Sequence, residues 1–131
     1  MKPAGVLVLA SIVTLAAVNT GFAKDVWRAV RGSELRPAFV DHELADGVHY
    51  AYQFHADGTF TGFNMGKAVS GNWRTMPDTF CWTWVRPAVA EECFTVERNS
   101  ANFRFVRDGT EIFSGPLAPA KAQIPSRGVS Q

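Results

Sequence analysis

The sequence predicts a mainly β domain: an antiparallel up-and-down meander of six to seven strands, forming a strongly curved sheet or small barrel, with one short N-terminal helix. Three observations carry this. From Val48 onward, Tyr50, Tyr52 and Phe54, and later Phe103 and Phe105, recur every second residue, the spacing of one face of a strand. Turn formers (Asp57-Gly58, Gly66, Met76-Pro77-Asp78, Asn99-Ser100, Asp108-Gly109) punctuate that region at roughly the 8 to 12 residue spacing of short antiparallel strands. No stretch between them has helical periodicity long enough for the crossover that parallel strands need.

Ahead of this region, residues 1–23 read as a signal peptide. Lys2 gives a positive start, Ala4 to Val18 is an almost unbroken apolar run, and Gly21-Phe22-Ala23 places small residues where a signal peptidase inspects them. The run falls short of the roughly 20 apolar residues of a spanning helix, so cleavage after Ala23 is expected, not a retained anchor. Residues 24–32 lead in, with Trp27 and Val30 as packing anchors. A single β domain is expected over 33–115. It opens on a helix from about Glu34 to Val40, with Ser33 as its cap, Pro37 in its first turn, and Leu35, Ala38 and Phe39 on one stripe. Glu43 to Ala45 reads as a short edge strand.

The strands follow in order. Tyr50, Tyr52 and Phe54 face inward, and a three-residue loop ending at Gly58 sets Phe54 opposite Phe60. Phe60 and Phe63 are out of phase across Gly62, which predicts a bulge there. Val69 to Thr75 brings Trp73 inward. Thr79 to Val85 and Cys93 to Val96 then form a hairpin in which Cys81 opposite Cys93 places Phe80 opposite Phe94 and gathers Phe80, Trp82 and Trp84 on one face. The connection Arg86 to Glu92 is expected as the longest loop. A two-residue turn at Asp108-Gly109 sets Phe105 against Ile112, and the last strand ends near Ser114. Residues 116–131, rich in Pro, Ala, Gly and Ser, read as a disordered tail.

Composition limits function. Lys plus Arg number 13 against 12 Asp plus Glu, a formal net charge of +1, so there is no electrostatic footprint for nucleic acid and no basic amphipathic helix for a membrane surface. In an exported chain the two cysteines, Cys81 and Cys93, are most simply a disulfide; their spacing suits neither a C-x-x-C redox pair nor a zinc site. His49 and His55 share a strand face but lie about 20 Å apart at the usual rise, so no metal is expected. No G-x-S-x-G elbow, inward carboxylate pair or phosphate-cradling glycine loop is present. The chain is therefore expected to be no enzyme, a hydrolase of unknown type being the alternative, and to use no cofactor. Tyr50, Tyr52, Trp73, Trp82 and Trp84 are the candidate ligand-binding residues. Their competing role is to fill a narrow core, since aromatic rings supply most of the buried area in small barrels.

The run Ser33-Glu34-Leu35-Arg36, then Asp57-Gly58-Thr59-Phe60, Gly71-Asn72-Trp73, Cys81-Trp82, Cys93-Phe94-Thr95-Val96 and Asp108-Gly109-Thr110 resembles a group of small exported bacterial β-rich domains of unknown function, over about Gly32 to Pro116. The resemblance implies fold and export and carries no catalytic residues. The expectation for function is a periplasmic or secreted, non-catalytic binding or interaction module of the cell envelope. The alternative is a calycin-like carrier of a small apolar ligand. Its partner is accordingly an envelope protein or a small apolar molecule, with no membrane contact once the leader is removed.

Overall fold

A computed structural model describes residues 2–5, 10, 13, 14, 16 and 26–121. The expected leader lies largely outside the described residues, as do residues 122–131, and no helix among the described residues is long and apolar enough to cross a membrane. The elements run β1 (Arg28–Val30), a 3-10 turn (Gly32–Glu34), α1 (Leu35–Phe39), β2 (His42–Ala45), β3 (Tyr50–Phe54), β4 (Thr59–Asn64), β5 (Lys67–Thr75), β6 (Phe80–Arg86), β7 (Val89–Asn99), β8 (Asn102–Arg107) and β9 (Thr110–Pro119).

Each strand from β2 to β9 pairs antiparallel with the next, and β9 returns to pair with β2, closing an eight-strand barrel. The closure, with two strands more than the sequence suggested at its lower bound, comes from segments at both ends of the domain. His42–Ala45 is not an edge strand: Leu44 pairs with Tyr52 on one side and Leu117 on the other. The last strand does not stop near Ser114 but runs to Pro119, past the boundary expected at 115. Closure satisfies the backbone groups that an open edge would expose to other chains. β7 serves two neighbours on one side: its first half, through Phe94, pairs with β6, and β1, within the expected lead-in, pairs with Val96 to Arg98.

Several local expectations hold. Cys81 pairs with Cys93, Phe80 with Phe94, and Phe54 with Phe60. Cys81 and Cys93 form the disulfide, closing a sequence separation of 12, which the loop-entropy account values at about 3 kcal/mol. Others are corrected. Ser33 does not cap the helix; it lies within the 3-10 turn, and neither that turn nor α1 has a side-chain cap. The helix is held instead by burial of Leu35 and Phe39, both fully enclosed. Gly62 is not a bulge, because β4 keeps regular register with β3 and β5. Its lack of a side chain serves backbone proximity: a Cβ there would run into the Ala51 carbonyl. Phe63 accordingly faces outward. The expected long loop is only the turn Pro87-Ala88, since β7 begins at Val89. A register shift after Phe105 pairs it with Phe113, not Ile112, so Phe113 faces the interior and Ile112 the solvent.

The lumen is packed with rings. Phe39, Phe54, Phe60, Phe80, Phe94 and Phe105 are among the largest fully buried side chains. They meet edge-to-face or stacked, as with Phe39 on Phe80 at 4.4 Å and Phe105 on Phe113 at 4.3 Å between centroids, geometries that add about 0.5–1.5 kcal/mol per pair beyond area burial. No charged or polar residue is buried among those described.

Candidate functional site

The two ends of the barrel differ. Strand polarity places the β3–β4 and β5–β6 turns at the same end as α1, where Phe39 enters the lumen against Phe54, Trp73, Phe80, Phe103 and Phe105. Arg36 lies over the Trp73 ring at 5.0 Å and donates to the Ala56 carbonyl at 2.8 Å, tying the helix to the β3–β4 turn. That end is stoppered.

The opposite end carries the β2–β3, β4–β5, β6–β7 and β8–β9 turns and has no such cover among the described residues. Its inner face shows Tyr50, Trp84 and Phe113, each half-buried and packed against the core. Tyr50 stacks on Tyr52 at 5.0 Å, Tyr52 meets Trp84 edge-to-face at 5.5 Å, and Trp82 stacks on Phe113 at 5.4 Å. The Tyr50 hydroxyl donates to the Ser114 carbonyl, bridging to β9 just beyond the end of the short β2. Burial pushes the Tyr52 phenol up to about 12, with smaller contributions from Tyr50 and Asp46; burial and then Asp46 also raise Tyr50. These rings form a partly buried layer just beneath the rim.

The rim itself is ordered by Asp46. Its carboxylate accepts the N–H groups of Val48, His49 and Tyr50 and the His49 ring nitrogen at 2.7 Å. Partial burial opposes its ionisation, but these donors outweigh that and hold the carboxyl well below its usual range. The N–H of Met65 donates to the His49 carbonyl at 2.7 Å, coupling two rim turns.

Of the five candidate ligand residues, Tyr50, Tyr52, Trp82 and Trp84 thus form one cluster in the open half. Trp73 belongs to the stoppered half, its indole N–H donating to the His55 carbonyl at 2.9 Å. Sequence reasoning missed Phe113, which the register shift turns inward, and the polar edge of the rim: Asn64, Lys67 and Arg86. With Ala68, Val69, Trp84 and Pro87 these line a cleft of about 370 Å³ between the β4–β5 turn and the end of β6. The signal for Lys67 lay in the alternation, as the next inward position after Trp73, Gly71 and Val69. Arg86 had no such signal, because a register shift sets it opposite Ser70 and breaks the stripe of Phe80, Trp82 and Trp84 before it.

The histidines do not converge: His42 bonds the Val40 carbonyl, His49 bonds Asp46, and His55 bonds Thr61. Cys81, Glu91 and Cys93 bring three potential metal donors within 4.8 Å, but both sulfurs are consumed in the disulfide and Glu91 is held by the Arg74 guanidinium at 2.6 and 2.9 Å. The Trp82 indole N–H is buried without an acceptor, and Tyr52, Trp84 and Phe94 stand close to perpendicular to its ring. No family model matches the chain, and neither a curated protein nor a solved structure matches it.

Proposed function

We propose that the protein is an exported, periplasmic or secreted, non-catalytic binding module of the cell envelope, and that it meets its partner with the open end of the barrel. One observation carries this reading: among the described residues, the exposed large hydrophobic side chains other than Val13, Val26 and Met76 (Val48, Phe63, Met65, Val85, Val89 and Ile112) all lie at or beside that rim. Exposed apolar side chains scattered singly are ordinary, whereas a ring of them around one opening is the composition of a contact surface. The disulfide supports the location, since such bonds persist in oxidising compartments.

Capture from a native envelope extract tests the reading. The chain carrying Val48→Ser, Met65→Ser and Val89→Ser should lose partners that the unaltered chain and a Thr95→Ala control on the other half retain. An identical captured set for all three chains would overturn it.

The carrier reading is favoured by the cleft beside Trp84 and takes a restricted form. Because rings occupy the lumen, a small apolar ligand sits at the mouth and not within the barrel.

A further inference from the structure

We propose that the cleft at the open end binds one small apolar acid, its carboxylate between Lys67 and Arg86 and its apolar body against Trp84 and Val69. The inference rests on the open end being the contact surface and goes on to name a ligand class for it.

The argument begins with the two cations. Lys67 and Arg86 stand on neighbouring strands at the open end and both line the cleft: Lys67 continues the inward stripe of Trp73, Gly71 and Val69, whereas Arg86 lies just past the end of the inward stripe of β6. A register shift between Ser70 and Gly71 sets Arg86 opposite Ser70 and Trp84 opposite Gly71. That shift leaves Val85 as an extra residue in β6, the kind of irregularity that bends a strand, and it falls between Trp84 and Arg86 of the cleft lining. Arg28, Arg74, Arg104 and Arg107 each reach an acidic partner. Lys67 and Arg86 make no hydrogen bond or ion pair among the described residues, and no carboxylate lines the cleft between them. Two unmatched cations converging on one concavity make it selective for an anion.

The rest of the lining restricts what that anion is attached to. Ala68, Val69, the Trp84 ring and Pro87 supply an apolar wall, and the Asn64 amide adds one polar contact at the edge. A volume of about 370 Å³ lies at the lower end of the range for small-molecule sites, roughly 300–1,000 Å³, so one modest ligand fits and a polymer does not. A guanidinium matches the two oxygens of a carboxylate as a fork, and an ammonium adds a point charge without demanding a fixed geometry. An aliphatic or aromatic monocarboxylate meets all three conditions: one negative head, an apolar body and small size.

Calorimetric titration of the full, disulfide-bonded chain with sodium decanoate, decanol and sodium acetate tests this, with tryptophan fluorescence followed in parallel. Decanoate should bind and perturb the fluorescence, decanol at least tenfold more weakly, and acetate not measurably. In the Lys67→Gln/Arg86→Gln variant, with thermal midpoint and circular dichroism unchanged, decanoate should fall to the level of decanol. Trp84→Leu should weaken both by a similar factor. Equal binding of decanoate and decanol by the unaltered chain, an undiminished preference in the double variant, or no binding of decanoate would each overturn the proposal. Loss of captured partners in the rim variants would leave the broader reading standing in any of those cases.

Discussion

The two halves of this barrel are built from the same material and finished differently. At the helix end Phe39 is fully enclosed by Phe54, Trp73, Phe80 and Phe105, and Arg36 fastens the helix to the facing turn. At the other end Tyr50, Trp84 and Phe113 stay half-buried, and the turns around them hold apolar side chains toward solvent. The first arrangement lowers free energy; the second leaves apolar surface unburied that folding alone would have covered. Stability and recognition have been assigned to opposite ends of one small core, so a substitution can damage one while sparing the other.

The largest effect should come from removing the stopper. Phe39→Ala is expected to cost about 3–5 kcal/mol, the usual range for deleting an enclosed ring, whereas Trp84→Ala at the open end should cost clearly less in urea unfolding. Equal losses would erase the distinction between the ends. Next in size is the staple between β6 and β7: the Cys81→Ala/Cys93→Ala variant should lose about 3 kcal/mol while its response to decanoate stays within twofold, because the disulfide lies on the outer side of the hairpin, away from the cleft. A lost response in a still-folded variant would mean that the staple also shapes the rim.

A third measurement asks how dry the open half is. The chain has two tyrosines, and both belong to this layer, so absorbance at alkaline pH reports on it directly. Burial should move both above the ordinary tyrosine value, and Tyr52 should release its proton only at about 12. The sign follows: the unfolded chain loses that proton near pH 10 and the native chain later, so the native state holds more protons between these values and stability falls as pH rises from about 10 to 12. Ordinary titration of both phenols near 10 would show the layer to be wet. The smallest effect is expected at the rim, where Val48→Ser or Ile112→Ser should change stability by no more than about 0.5 kcal/mol. A larger loss would make those side chains structural and weaken their assignment to a contact surface.

Much of this architecture could be read before any coordinates, and where it could not the reasons are physical. The pairs Cys81 with Cys93 and Phe54 with Phe60 were legible because each lies across one local turn, and a slip by one residue would expose their rings. The closing strand was not. Gly115-Pro116-Leu117-Ala118-Pro119 looks like a tail because prolines lack the donor that strands use, and its partners lie far away, with Pro119 opposite His42. One inward side chain there, Leu117, is buried, too little for a periodic pattern to register. Gly62 was misread because a bulge and a close backbone approach both call for glycine, and only the neighbouring strand separates them. At the site, the rings were evident from alternation. Lys67 stands beside the Gly66 turn although it continues an inward stripe, and Arg86 reaches the cleft only through the register shift at Ser70, which no alternation announces.

The seam between β2 and β9 has one more consequence. Its final pair, His42 with Pro119, lies beside the helix, and β1 brings the chain in beside the same helix. Residues 28–119 therefore begin and end at the stoppered pole, so a hold on the molecule at those two points would leave its mouth facing outward, like a cup fixed by its base.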